Sequence, residues 1–507
     1  MNDINKPVIC IVGSGIGGGI LALELLKTNN FRVKILDNDA LNGRFSQDSQ
    51  LESMNVGHPF LVPHPTRGFG FGGTSNLWHG VLTALDELDW ILMESELSLI
   101  LKSEIKQSYM RLGPYFGNVP IAPATAIHDK VKDHPLYSPL LNKSTFRIKD
   151  FYLQPKPLRI RARLNSYANA SFNLEIIENS TALYLRGGTE DPASASYLLA
   201  KQGEEVVKVY ADYFVLAVGA LETPRIILQG NLESNFKIQN ELVGRRLFDH
   251  PWCVIGEIIS LSGFFKLKFS DISWSKNLKY RVGFCISTFE KGFGNLNHCI
   301  GIKPLFFGDY ELFKGALKAL ISRRPSLTSM FDLFKTYRLI DILSSALILL
   351  SEKSNFGIFV KKALVFCYLE QQIRPQSRIV LSGRYDSHGR NIPLIDWVVD
   401  KREVNDALTI QGCISDALQD SKNFIFSPYT ISEVSLGSSS HHAGTMSIGM
   451  DQKKGVLDHN LKIFGSNNVY VCDLSIFPNY GNSNPSFTLG AFALRLADHL
   501  NYKFSKK

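Results

Sequence analysis

An α/β fold is predicted, with a parallel sheet assembled from separated segments and a second, α+β part built on a largely antiparallel sheet. Three observations carry this. Residues 8–37 read as strand, glycine turn, helix, strand and acid. Far down the chain, Tyr213 to Val218 (YFVLAV) is a second buried apolar strand that ends at Gly219. Between and beyond them, 252–303 and 369–397 alternate apolar and polar residues, as strands with one covered face do.

The first unit opens with Val8 to Val12 (VICIV), an apolar run suited to a strand covered on both faces. It breaks into Gly13-Ser14-Gly15-Ile16-Gly17-Gly18, and an apolar helical pattern follows through Leu21, Leu25 and Leu26. Val33 to Leu36 is the next strand, ending at Asp37. This is the order of a Rossmann-like dinucleotide-binding unit. Gly13 permits the tight turn, Gly15 lets a pyrophosphate approach the backbone, and Gly18 lets the helix lie close to the strand. The helix N-terminus offers free N–H groups and a partial positive charge to the phosphates. Asp37 stands where an acid accepts from the adenosine ribose hydroxyls, which favours FAD or NAD over NADP.

A second glycine cluster, Arg67 to Gly80 (RGFGFGGTSNLWHG), alternates Gly with Phe, Leu and Trp. That pattern predicts a loop pressed against a cofactor. Residues 86–117 are predicted helical. Residues 140–165 bring Lys143, Arg147, Lys149, Lys156, Arg159, Arg161 and Arg163, read as a solvated face ahead of an anion site. Phe172 to Leu185 and Val206 to Tyr210 are expected as antiparallel strands. A helix is expected to start where Gly219 to Pro224 ends the 213–218 strand, so the nucleotide unit resumes there and is discontinuous in sequence. Residues 310–367 change to a helical, apolar and basic pattern. They are read as a core helix pair, or as a lid or membrane-surface patch for a lipophilic substrate. Residues 403–420 are predicted to form a further helix.

Near the C-terminus, Ser438 to Thr445 places His441 and His442 beside small residues. Val469 to Cys472 is a short strand ending at Asp473, expected to bind cofactor or fix its loop. Gly481-Asn482-Ser483-Asn484-Pro485 precedes a helix from about 487 to 500. The N-terminus of that helix directs a positive dipole end at an electron-rich group, and Asn484 suits its cap.

Composition bounds the rest. Hydrophobic residues make up 45% of 507 and charged residues 20%, so the chain can bury a large core. A net charge of +8, with no Lys/Arg block interleaved with aromatics, permits attraction to an anionic surface or substrate but does not point to nucleic acid. Seven scattered cysteines with no C-x-x-C pair argue against a disulfide framework or a metal site. The N-terminus lacks the pattern of a signal peptide, no apolar run is long enough to span a membrane, and a cytoplasmic location is expected.

The chain resembles the glucose–methanol–choline (GMC) oxidoreductases, which are FAD-dependent. The resemblance rests on GSGIGG with Asp37, GGTSNLWHG at 72–80, AVGALETPRIIL at 217–228, LVGRRLFDHP at 242–251, LEQQIRPQSRIVLS at 369–382, IDW at 395–397, HHAGTMSIG at 441–449, GVLDHNLKIFG at 455–465 and DLSIFPNYGNSNPSFT at 473–488. The NPSFT ending leans toward the pyranose-oxidase-like branch. The resemblance implies an FAD-binding domain of residues 1–85, 165–250 and 436–507, and a substrate-binding domain of 86–164 and 251–435. It implies that His441 is the catalytic base and Asn484 its partner, with His442 an adjacent extra histidine. The cofactor contacts it implies are Gly13, Gly15, Gly18, Asp37, Gly73, Thr74, Asn76, Ala182, Gly219, Asp473, Asn484 and Thr488. Some members carry a flavin-linked histidine in the 72–80 loop. Here Asn76 and Leu77 occupy that neighbourhood and His79 lies further on, so FAD is expected to be non-covalent. The activity implied is oxidation of an alcohol on a sugar, glycoside or bulky metabolite, with O₂ or another carrier as acceptor. The alternatives are a non-redox lyase or decarboxylase of the same fold, or a membrane-peripheral enzyme for a lipophilic alcohol.

Overall fold

The computed structural model describes residues 6–39, 52–59, 67–91, 93, 95–142, 145–168, 172–188, 191–267, 272–287, 297–305 and 358–505. Among these residues the first unit is a five-stranded sheet in the order Val469–Val471, Tyr213–Leu216, Val8–Val12, Arg32–Leu36, Leu174–Ile177. All four pairings are parallel, with Ile9 opposite both Tyr213 and Val33. Ile9, Ile11, Phe214, Val215 and Val471 are fully buried, which is why these strands read as unbroken apolar runs.

The helix Ile16–Thr28 follows the first glycine turn and packs beside the last helix, Pro485–Ser505. Its end is set by Asn29, which takes the left-handed conformation of a C-terminal cap. The helix Thr223–Glu233 follows the Gly219 turn as expected. Leu174–Ile177 corrects an expectation. It is not an antiparallel strand but the parallel edge of this sheet, with Leu174 opposite Val33. Alternation alone does not distinguish the two pairings. The helix Ile160–Ala168 that precedes it packs on the helix Ile16–Thr28 and supplies the crossover a parallel strand needs. Ser180–Gly187, Ala195–Gln202 and Glu205–Tyr210 do form an antiparallel meander.

The second part rests on a nine-stranded sheet. Its main path runs Phe424–Pro428, Pro251–Ser260, Lys362–Tyr368, Asn297–Leu305, Leu278–Ser287, Phe146–Leu153 and Val81–Leu82, with antiparallel neighbours throughout. Lys362–Tyr368 lies inside this sheet, and Ile358–Val360 pairs with Phe265–Leu267. The end of the 310–367 region is therefore strand and not helix. Ala363, Val365 and Cys367 point inward at a period of two, a short signal that the apolar residues before it obscured. The helical, lid or membrane reading of 310–357 falls outside the described residues, as does Lys143. No helix among the described residues is long and apolar enough to cross a membrane. The helix Lys401–Leu418 covers this part and starts at a capping box formed by Asp400 and Glu403.

The basic stretch 140–165 is also corrected. Lys156 and Arg163 are exposed, but Lys149 is 5% exposed and its ammonium is paired with Asp86 and Asp89. Lys149 lies on the strand Phe146–Leu153, Lys156 in the connection after it and Arg163 on the helix Ile160–Ala168, so one basic run crosses three elements and serves both solvent and interior.

Candidate active site

The end expected to take a nucleotide is built from backbone. Gly13 has a φ of +94°, and its N–H donates to Leu36 O at 2.9 Å, so the turn is clamped to the neighbouring strand. A Cβ on Gly18 would sit 2.2 Å from Gly13 O, and one on Gly17 2.0 Å from the Cys472 carbonyl oxygen. Both glycines let the helix lie against the strand ends. Gly15 and Gly219 differ, because a Cβ there meets nothing within 4 Å. A Cβ on Gly73 would come 3.7 Å from the Gly15 Cα. The two glycine loops therefore lie side by side, and the helix Ile16–Thr28 starts beside them with no acidic first turn and no side-chain cap. The Ser75 hydroxyl is buried in the second loop and has no hydrogen-bond partner among the described residues. Bare glycine backbone, an uncapped helix N-terminus and an unused hydroxyl fit a dinucleotide such as FAD.

Ser14 ties these parts together. Its N–H and hydroxyl both donate to Asp37 Oδ2, at 3.1 and 2.5 Å, and its oxygen accepts from Gly72 N–H at 2.8 Å. Asp37 Oδ1 takes the Asn38 N–H at 2.9 Å. Burial lifts the Asp37 carboxyl to about 6 against these hydrogen bonds. Three of the about four acceptor positions of a carboxylate are thus used within the chain.

The other expected contacts divide. Thr74 accepts from Gly68 N–H at 3.2 Å, and the Asn76 amide donates to Phe71 O at 2.8 Å, so both side chains hold the second loop in shape. Asp473 accepts from Gly219 N–H at 2.9 Å, from the Thr223 hydroxyl at 2.5 Å and from Ser475 N–H at 2.8 Å. It joins the last strand of the parallel sheet to the Gly219 turn, and burial raises its pKa. The Thr488 hydroxyl is buried in the first turns of the last helix and bonds Tyr109 at 2.7 Å. Ala182 lies apart, in the antiparallel meander, where its carbonyl accepts from Arg390 at 3.2 Å.

His441 and Asn484 come together across 43 residues, with Asn484 Nδ2 3.4 Å from His441 Nε2. Ser440, just before, has a φ of +61°, a left-handed position that costs a non-glycine residue about 1–3 kcal/mol. His442 is buried and faces Asp249 Oδ2 at 3.0 Å. His441 is half-buried, held by its N–H on Asp249 Oδ1 at 3.1 Å and by its carbonyl, which accepts from the Tyr480 hydroxyl at 2.6 Å. Burial lowers the pKa of His441, with Asp249 opposing and His442 adding to the fall. Burial would push Asp249 up, but the hydrogen bond and charge of His442, with His441 and Ser438, hold it near 2.

Asp249 and His250 were not singled out by sequence reasoning. The His250 ring lies edge-on to His441, with the two Nδ1 atoms 3.3 Å apart, and its Nε2 is 2.6 Å from Gly481 O. The available signal was an Asp-His-Pro triplet at the start of a strand. Ser14 and Gly17 were likewise passed over, since each acts through a partner distant in sequence.

Behind the 479–484 loop lies a buried polar layer. Lys149 Nζ donates to Ser483 at 2.8 Å and pairs with Asp86 at 3.1 Å and Asp89 at 3.3 Å. Asn297 donates to Asp89 at 2.7 Å, and Asn479 donates to Glu370 Oε1 at 2.6 Å. The loop carrying Asn484 is therefore fixed from the antiparallel sheet as well as from the last helix.

Residues 375–493 match the family model described as GMC oxidoreductase. The chain is 30% identical over 131 residues to 6'''-hydroxyparomomycin C oxidase of Streptomyces lividus, covering 24% of this chain and 23% of that protein. The match thus spans under a quarter of the curated relative. The crystal structure of pyridoxine 4-oxidase from Mesorbium loti is similar in fold, with a TM-score of 0.61 at 16% identity over 98% of this chain and 99% of that one.

Proposed function

We propose, of a chain that carries a GMC oxidoreductase C-terminal domain over residues 375–493, that it is an FAD-dependent enzyme oxidising an alcohol to a carbonyl. The observation that carries this reading is the meeting of His441 Nε2 with Asn484 Nδ2 at 3.4 Å, in the loop before the last helix. Removing a proton from a hydroxyl needs a base that is neutral at working pH, and a histidine lowered by burial is one. Asn484 Nδ2 donates to the substrate oxygen and orients it. FAD, when bound along Gly13, Gly15, Gly73 and Gly219, supplies the acceptor for the two electrons. Asn76 and Leu77 stand in the neighbourhood of a flavin-linked histidine, which supports non-covalent binding. Flavin retained on acid-precipitated protein would contradict that part. The substrate class is a sugar, glycoside or bulky metabolite bearing an alcohol, and the acceptor is O₂ or another carrier. The seven cysteines are all buried and none is in a disulfide, which supports a reducing compartment, the cytoplasm.

The test is an anaerobic absorbance scan of the yellow protein against alcohols, sugars and glycosides. Bleaching of the flavin bands by one class is expected, with re-oxidation in air marking an oxidase. His441→Ala is expected to keep FAD and lose bleaching by about 100-fold or more in rate. A variant reduced at the wild-type rate would refute the role of His441.

A further inference from the structure

We propose that His250 is a positioning residue that fixes the tautomer of His441, leaving His441 Nε2 bare on the side of Asn484. The inference rests on the reading of His441 as the base, and it follows from which atoms can donate. The Gly481 carbonyl only accepts, so the 2.6 Å contact requires a proton on His250 Nε2. His250 is 3% exposed, and burial together with His441 lowers its pKa to about 3, so the ring is neutral and its Nδ1 carries none. The two Nδ1 atoms lie 3.3 Å apart and one of them must donate. The donor is therefore His441 Nδ1. A neutral His441 then has a lone pair at Nε2, which is the atom Asn484 Nδ2 approaches.

The chain of contacts is anchored at both ends. Gly481 has a φ of +58°, and a Cβ there would fall 1.7 Å from Asp89 Oδ1, so the turn that aims its carbonyl is pressed against the Lys149–Asp89 pair. The Tyr480 ring stands edge-on to His250 at 4.7 Å. Asp249 Oδ1 takes the backbone N–H of both His250, at 2.6 Å, and His441, at 3.1 Å, while Oδ2 takes Ser438 and faces His442. Asp249 thus sets both backbones, and its contacts leave the nitrogens that define the tautomer to each other. The hydrogen bond at one imidazole nitrogen determines what the other can do, and here the relay begins at a carbonyl oxygen.

The test reads the tautomer directly. Holoprotein labelled with ¹⁵N-histidine is examined by NMR above the imidazole pKa, with His441 assigned by its loss in His441→Gln. The expected pattern is a pyrrole-like Nδ1 and a pyridine-like Nε2 for His441, and the reverse for His250. His250→Asn keeps an acceptor where Nδ1 stood and is expected to preserve the His441 pattern. His250→Phe removes it and is expected to shift both His441 nitrogens toward the opposite or averaged tautomer. A pyrrole-like Nε2 on His441 in the wild type, or an unchanged pattern in His250→Phe, would overturn the proposal. Should His250→Phe fail to fold, the wild-type pattern decides alone. With an alcohol that bleaches the flavin, His250→Phe is expected to slow reduction at least about tenfold at unchanged substrate Kd, with His250→Asn restoring most of it. If no alcohol bleaches the flavin, the functional reading fails while the nitrogen shifts still decide the tautomer.

Discussion

Glu370 is 2% exposed beside the site loop, and burial lifts its carboxyl to about 8, with Asp89 adding to the rise. In the unfolded chain the same carboxyl loses its proton near the ordinary value of 4.5. Between these two values the folded state holds a proton the unfolded state has lost, so stability falls as pH rises across that window. The limit is about 1.4 kcal/mol for each pH unit of the shift. Urea unfolding of Glu370→Gln is expected to lack this decline while the wild type shows it. Equal slopes would place the Glu370 titration elsewhere. At this scale the sequence was most legible where a residue acts by its own chemistry. His441 and Asn484 were paired through the family resemblance, and the structure brings their side chains together. Asp37 was identified by position, but its use by Ser14 and Asn38 depends on a turn whose exact path no motif specifies. His250 was illegible because its effect passes through a second histidine 191 residues away.

At the scale of elements, the two kinds of glycine in one motif predict opposite outcomes. Gly15 has a φ of −63° and open space where a Cβ would lie. Gly15→Ala is expected to fold with stability near wild type and to weaken FAD binding by about tenfold or more, read by flavin fluorescence titration of the apoprotein. Gly17→Ala would drive a Cβ to 2.0 Å from the Cys472 carbonyl and is expected to cost about 3 kcal/mol or more in urea unfolding. An FAD affinity unchanged in Gly15→Ala would remove Gly15 from the cofactor path. Elements with a strong local pattern were legible, namely the first strand–helix–strand unit, the Lys401–Leu418 helix and the last helix. The partner and direction of Leu174–Ile177 were not, since a four-residue strand carries the same alternation in either pairing.

At the scale of the whole molecule, Lys149 joins the antiparallel sheet to the loop of the parallel part. It spans from the strand Phe146–Leu153 to Asp89 and Ser483. Burial alone would lower its pKa, but Asp89 and Asp86 together raise it, so the ammonium stays charged inside the protein. Lys149→Met leaves Asp89 buried without its cation and is expected to cost about 3–5 kcal/mol. A matching loss of FAD affinity is expected, because the same loop leads into the last helix. Unfolding that leaves the cofactor affinity untouched would show that the loop is held from the helix side alone.

The sequence by itself determined the parallel strand–helix–strand unit, its discontinuity and the two glycine loops, while the candidate pair His441 and Asn484 came through the family resemblance. Each of these rests on local periodicity, on glycine conformation or on a short motif, and such signals survive in one dimension. Tertiary structure decided which glycines face open space and which touch backbone. It also decided that Lys149 is interior, that Lys362–Tyr368 is a sheet strand, and that His442 faces Asp249 while His441 faces Asn484. These depend on distance and direction between atoms far apart along the chain: His442 meets a carboxylate 193 residues upstream and His441 an amide 43 residues downstream, and no local pattern encodes either contact.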